Sequence, residues 1–396
     1  MHGHPDWRSS AAITCSLAVI AAAVVWNMRR NCSSKKKKPV ESCEKSSTVQ
    51  ENGNGVVANK NVDDTHRRSD DIPELPDPKW TKVGEVEELY VYPMKSGRGR
   101  SLGECEFTEF GICIESQGKF ALRDRMFLVY SEETGRFVTG RKYPTMILVT
   151  LSAVDEQKVK LEAVGMPSVV FGVPKNAEEN VEAVQCTMWW GEPVKCIDCG
   201  PEPAEWLSRF LTGTSSGLRL GYSTMDKRDL SIWSKFTEVY SNLHAEDTGL
   251  FSDLASYMLM STKSVEALNE KLERPVPALQ FRPNIVVSTT EAFAEDNWEW
   301  IKIGNKAVIR NVKPCTRCKF ILVNPETGDA DADEPLRTLK SFRQPTDSSR
   351  IAVEGQAPLI GILCGAYIPG KVKVGDGVYV HGAEDSVKQN RQDASS

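Results

Sequence analysis

The segment Pro314-Cys315-Thr316-Arg317-Cys318 concentrates reactive side chains: two thiols three positions apart, with an arginine beside the second. Spacing alone leaves four readings open. The pair is half of a zinc site, with Cys196-Ile197-Asp198-Cys199 as the other half, although the gap from Cys199 to Cys315 far exceeds zinc-ribbon spacing. It is a redox dithiol, which would want a βαβ setting where the sequence reads as β. It is two packed, inert thiols. Or one thiolate binds a soft metal, with Arg317 favouring the thiolate form. The eleven cysteines are odd in number and irregularly spaced, unlike a secreted disulfide framework, so a reducing compartment is expected. With five histidines and no HExxH, a histidine-rich metal centre is not expected.

The elements that must hold these thiols read mostly as strands. Val86, Leu89 and Val91 form an extended run before Pro93. Phe127 to Tyr130 and Arg136 to Thr139 flank Glu-Glu-Thr-Gly, a hairpin signal. Met146 to Leu151, Val159 to Leu161 and Val169 to Phe171 are further short apolar runs. Trp298 to Ile303 and Ala307 to Val312 flank the Gly304-Asn305 turn, and Val372, Val374 and Val378 to Val380 bracket Gly375-Asp376-Gly377. Two helices stand out. Pro203 to Leu211 carries Trp206, Leu207 and Phe210 on one face and stops at Gly213; Ser264 to Leu272 ends before Pro275. Many short strands with few helices predict a mainly β, α+β fold of two barrel-like units, over residues 83–226 and 227–382.

Ala11 to Met28 is apolar and uncharged, and at ~1.5 Å per residue just spans a thin bilayer. Arg29, Arg30 and Lys35 to Lys38 follow it, so the reading is a transmembrane signal anchor behind a short segment 1–10, with the body in the cytosol. The flank suits the mitochondrial outer membrane and also the endoplasmic reticulum. Residues 29–82 read as a polar tether and 383–396 as a disordered tail, both too poor in large apolar groups to offset their ordering entropy. A net charge of −5 gives no basic field for nucleic acid.

Five segments in order resemble the MOSC family, and within it the mitochondrial amidoxime-reducing components. They are LYVYPMKS at Leu89 to Ser96, ALRDRMFLV at Ala121 to Val129, QFRPNIVV at Gln280 to Val287, PCTRCKFILVNPETG at Pro314 to Gly328 and KVKVGDGVYV at Lys371 to Val380. The resemblance covers about residues 83–381. It implies an N-terminal MOSC β-barrel domain and a C-terminal MOSC domain binding a molybdenum cofactor, Mo-molybdopterin. Cys318 would ligate the metal and be the catalytic residue, with Arg317 among the cofactor contacts and Cys315 packed. Lys95 and Ser96 match the pair that binds the pterin phosphate, and Arg125, Arg282 and Asn284 match further cofactor contacts. Arginine grips phosphate bidentately and lysine supplies a point charge. Two departures stand out. Asp253-Leu254-Ala255-Ser256 replaces a Thr-Ser pair that contacts the pterin, leaving backbone groups or Ser256 for that contact. Ser288, Thr289 or Thr290 stands where some members have a cysteine.

The activity implied is two-electron reduction of N-hydroxylated compounds, amidoximes and hydroxylamines, to amidines and amines with release of water. No GxGxxG follows a strand, so electrons must come from outside; the resemblance implies cytochrome b5, reduced by NADH-cytochrome b5 reductase. His244, Glu246 and Asp247 are candidates for a proton donor in a polar loop. The rival readings are a cofactor carrier or sulfur-transfer module, and a metal-free structural adaptor.

Overall fold

The computed structural model describes residues 79–381, apart from 115–117, 175–182, 189 and 231–232. The expected anchor at 11–28, most of the tether and the tail from 383 lie outside the described residues. Among the described residues no helix is long and apolar enough to cross a membrane.

The first half of the described chain runs through β1 (Trp80–Val91), β2 (Arg100–Leu102), β3 (Glu104–Thr108), β4 (Gly111–Ile114), β5 (Leu122–Arg123), β6 (Phe127–Ser131) and β7 (Phe137–Val138). It continues through β8 (Thr150–Ala153), β9 (Lys158–Glu162), β10 (Val169–Gly172), β11 (Val184–Thr187), β12 (Pro193–Asp198), helix α1 (Pro201–Thr212) and β13 (Leu218–Ser223). After α2 (Ser234–Val239) come β14 (Tyr257–Ser261), α3 (Thr262–Asn269), β15 (Ile285–Val287), β16 (Trp300–Ile303) and β17 (Ala307–Thr316). Helices α4 (Leu336–Arg343) and α5 (Ser348–Glu354), then β18 (Leu359–Ile368), β19 (Gly370–Lys373) and β20 (Gly377–His381), complete the order.

The sheet β15-β14-β18-β17-β16-β20-β1-β2 closes on itself, because β1 also pairs with β15. Closure removes free edges and encloses a core of Leu89, Phe107, Leu259, Ile285, Ile301, Ile309, Ile362 and Val378. Strand β1 begins at Trp80, inside the segment expected to be tether. Its partner explains why: Trp80 sits in register with His381 at the far end of the chain and meets its ring edge-on at 6.2 Å. A five-stranded sheet β11-β12-β13-β6-β7 and a three-stranded sheet β10-β9-β8 share a second core around Phe127, Met146, Leu161, Trp206 and Leu220. The fold is mainly β with few helices, as expected.

Both predicted hairpins form, β6 with β7 and β16 with β17. Helix α1 ends at left-handed Gly213, whose N–H bonds the Arg209 carbonyl. Helix α3 stops at Asn269, short of the expected Leu272, where the Asn269 side chain exchanges two hydrogen bonds with Val276. The run from Met146 opens as a 3₁₀ turn, Pro144–Leu148, before β8, since Pro144 pre-sets its first turn. Helices α2, α4 and α5 were not expected from the sequence. Strand β17 runs through Pro314 and Cys315, and its pairing with β18 shifts register between Pro314 and Thr316, the place where proline can donate no ladder bond.

Candidate functional site

Tyr92 and Pro93 follow β1, and the chain turns into Lys95 and Ser96. Lys95 N–H donates to Phe127 O at 2.7 Å, and Ser96 adopts a left-handed backbone, φ 63°. Before β6, Arg125 is also left-handed, φ 48°, and before β15 so is Arg282, φ 56°. Only five non-glycine residues among those described take this costly conformation, so its use at three expected cofactor contacts marks over-determined geometry. All seven expected residues, Lys95, Ser96, Arg125, Arg282, Asn284, Arg317 and Cys318, line one cleft of about 490 Å³.

Lys95 is buried. Its ammonium donates to Phe251 O at 2.7 Å and to Asp253 Oδ1 at 2.6 Å. Burial lowers its pKa, and Asp253 only partly offsets this. The Asp253 side chain stays largely exposed, and Lys95 together with Arg141 and Arg125 holds its carboxyl below the usual range. Arg125 pairs with Asp124, donates to Asn284 Oδ1 at 3.1 Å and stacks 4.3 Å over Tyr92. Arg282 lies between the Tyr92 and Phe320 rings, at 4.2 and 5.3 Å. Its Nη2 is buried with no hydrogen-bond partner among the described residues, and burial lowers its pKa to about 10. Asn284 is a latch: Oδ1 accepts from Arg125 and from Met258 N–H, and Nδ2 donates to Tyr90 O at 3.2 Å.

Cys318 follows β17 and caps the 3₁₀ turn Lys319–Leu322. It is the one exposed thiol among the described cysteines; Cys315 is packed with Met258, Met260, Leu339 and Ile360. Cys196 and Cys199 belong to other cores, and Cys196 Sγ lies 3.1 Å from Cys186 Sγ. Arg317 favours the Cys318 thiolate as expected, but only weakly, because its guanidinium is engaged elsewhere. Its guanidinium donates to Ile360 O at 2.7 and 3.0 Å and to Phe281 O at 2.8 Å, stapling β18 to the turn before Arg282. The crowding cleft walls push the Cys318 thiol up; the Phe320 N–H, Arg141 and Arg317 pull down too weakly to reverse it.

The polar loop expected to offer a proton donor is elsewhere. Asp247 is buried 2.7 Å from Arg310 and accepts from His244 N–H, and none of the three candidates lines the cleft. Ser256 donates to Glu109 O at 2.9 Å and to Asp247 O at 3.2 Å, and Ser288 accepts from Glu85 N–H; neither reaches the cleft. Asp253, Leu254 and Ala255 of that segment do line the cleft, and the Asp253 carboxylate was not expected as a contributor because its partner Lys95 is remote in the chain. Arg141, Trp190, Trp233, Phe236, Lys313 and Glu354 were missed as well.

The set of side chains favours an anion. Six cationic side chains line the cleft against two carboxylates, Asp253 and Glu354. A phosphate would satisfy the orphaned Arg282 nitrogen and the buried charges of Lys95 and Arg125, and an accessible thiolate would suit a soft metal.

Residues 83–214 match the profile of the MOSC N-terminal beta barrel domain, and residues 246–379 that of the MOSC domain. The chain is 36% identical over 301 residues to mitochondrial amidoxime-reducing component 1 of Mus musculus, covering 76% of this chain and 83% of that protein. It is 34% identical to the Homo sapiens protein of the same name, over 76% of this chain and 84% of that one, and 36% identical to that of Danio rerio, over 76% and 86%. With its motifs converging on one cleft and this similarity spanning nearly the whole described body, the chain belongs to the mitochondrial amidoxime-reducing component family of MOSC-domain proteins.

Proposed function

We propose that the chain is a molybdenum-cofactor oxidoreductase that reduces N-hydroxylated compounds, amidoximes and hydroxylamines, to amidines and amines. The observation that carries this is the exposed Cys318 thiol in the same cleft as Lys95, Arg125 and Arg282, in a chain whose relatives are named amidoxime-reducing components. When bound, the cofactor supplies two-electron redox chemistry at a thiolate-ligated metal. Each turnover takes two electrons and two protons and breaks the N–O bond, releasing water.

Lys95, Ser96, Arg125 and Arg282 would hold the phosphate end and Cys318 the metal. Asn284 would orient Arg125, and Arg317 would fix the backbone on either side of Arg282 and β18. Because the cleft raises the Cys318 pKa, metal loading releases a proton there and is favoured by rising pH. Cytochrome b5 and NADH-cytochrome b5 reductase are the proposed electron source. The same reading takes residues 11–28 as an anchor in the mitochondrial outer membrane, the body facing the cytosol, and places the boundary between the two MOSC domains at 226/227. The family profiles leave residues 215–245 between them, which supports that division.

The test is the full-length protein purified from cells that make the cofactor. Near-stoichiometric molybdenum, lost in Cys318→Ser and kept in Cys315→Ser, is expected, together with amidine formation from an amidoxime when reduced cytochrome b5 is supplied. Absence of molybdenum sinks the reading. Loaded protein without turnover supports a cofactor carrier instead.

A further inference from the structure

Apart from its cations, the cleft has an aromatic side. Trp190, Trp233 and Phe236 line it, each only partly buried. Their ring centroids follow one another at 5.5 and 5.3 Å, and Phe236 continues to Tyr240 at 4.9 Å. Large apolar surface left partly open inside a cleft is poorly accounted for by packing alone.

The position of Trp190 is fixed from behind. Its Nε1–H donates to Glu192 Oε2 at 2.8 Å, and Glu192 accepts from Arg228 Nε at 2.8 Å and Nη2 at 2.5 Å. Arg228 also donates to Ser252 O at 2.9 Å and Asp253 O at 3.3 Å. Glu192 and Arg228 side chains are 2% and 3% exposed, so a buried ion pair holds an indole that itself faces the cleft. At the other end of the row, Lys313 lies 5.7 Å from the Phe236 ring and is neutralised by Glu354 at 2.7 Å. A rigid, uncharged aromatic wall therefore shares the cleft with Cys318, and its complement is a flat apolar ring.

We propose that Trp190, Trp233 and Phe236 are specificity-determining residues that select planar aryl and heteroaryl N-hydroxy compounds. The ring lies against this wall and the N–O group extends toward Cys318. Small aliphatic N-hydroxy compounds reach the same centre without this contact. The inference rests on the reductase reading above, and its test separates the two.

Benzamidoxime and acetamidoxime are turned over by full-length holoenzyme, wild type and the variants Trp233→Leu, Phe236→Leu and Trp233→Phe. Binding of the products benzamidine and acetamidine to the same proteins is measured by calorimetry, and molybdenum content by elemental analysis. The leucine variants are expected to raise KM for benzamidoxime about tenfold, with KM and kcat for acetamidoxime and the metal content unchanged. Trp233→Phe, which keeps a ring, restores most of the selectivity and shows that the fold tolerates change at this position. Parallel loss for both substrates, no loss for either, or a fall in molybdenum overturns the proposal; the last result would make the wall part of the cofactor site. Equal binding of both amidines to wild type overturns it whatever the turnover. Benzamidine binding that is lost in the leucine variants of a protein without turnover supports the wall and sinks the reductase reading.

Discussion

Lys95 Nζ lies 2.6 Å from Asp253 Oδ1, joining the turn after β1 to the segment before β14. The pair is asymmetric: the lysine side chain is 7% exposed and the aspartate 71%. The protein thus buries a cation at the cleft and leaves its counter-ion in reach of water, an arrangement that suits binding a further anion better than it suits stability.

That asymmetry sets the first prediction. Lys95→Met removes a charge whose burial opposes ionisation and leaves Asp253 solvated. Cofactor-free protein should keep its stability within about 1 kcal/mol or gain slightly in urea titration, since apolar replacement of a buried charge is often neutral or stabilising. Molybdenum retained through purification should fall at least about tenfold, through loss of the phosphate contact.

Glu192 and Arg228 behave oppositely, because neither partner is solvated. Arg228→Met alone should cost about 3–5 kcal/mol by stranding the Glu192 carboxylate. The double variant Glu192→Met, Arg228→Met should recover much of that. A double-mutant cycle by denaturant unfolding checks it; additive costs would show that the two do not act as a unit.

The pH dependence follows from Cys318. Its folded pKa is raised because the cleft walls crowd it, so in cofactor-free protein its thiolate fraction at neutral pH is below that of a free cysteine. Iodoacetamide should modify Cys318 first among the described cysteines, slowly at pH 7, and faster as pH climbs through and past the ordinary thiol range. Peptide mass spectrometry gives the site and the rate. By linkage, the folded state holds this proton more tightly, so Cys318's share of stability is full below the unfolded thiol's pKa and is lost as pH rises through the raised one.

Close packing gives a prediction away from the site. A Cβ on Gly365 would lie 1.8 Å from Asp247 Oδ1, and Asp247 cannot withdraw from its buried contact with Arg310. Gly365→Ala should therefore cost about 2 kcal/mol or more. Gly172→Ala, where a Cβ meets nothing within 4 Å, should stay within about 1 kcal/mol. Thermal unfolding of both variants distinguishes them.

Local chemistry was legible wherever a signal and its consequence lie close in the chain. Gly135 and Gly304 announce the two hairpins, Gly213 ends α1, and alternating apolar residues mark most strands. Asp347, which accepts from Ser349 and Arg350 N–H, was a readable cap for α5 that went unread. The motifs by themselves determined which residues to bring together, and all seven meet in one cleft. Tertiary structure decided what each then does. It turned Arg317 from a neighbour of the thiol into a backbone staple, because two carbonyls of other segments capture its guanidinium. It closed the barrel with Trp80 on His381, set Asp253 on Lys95 and assembled the aromatic wall. Those outcomes depend on burial and on partners far off in the chain, and neither is encoded in the spacing around any one residue.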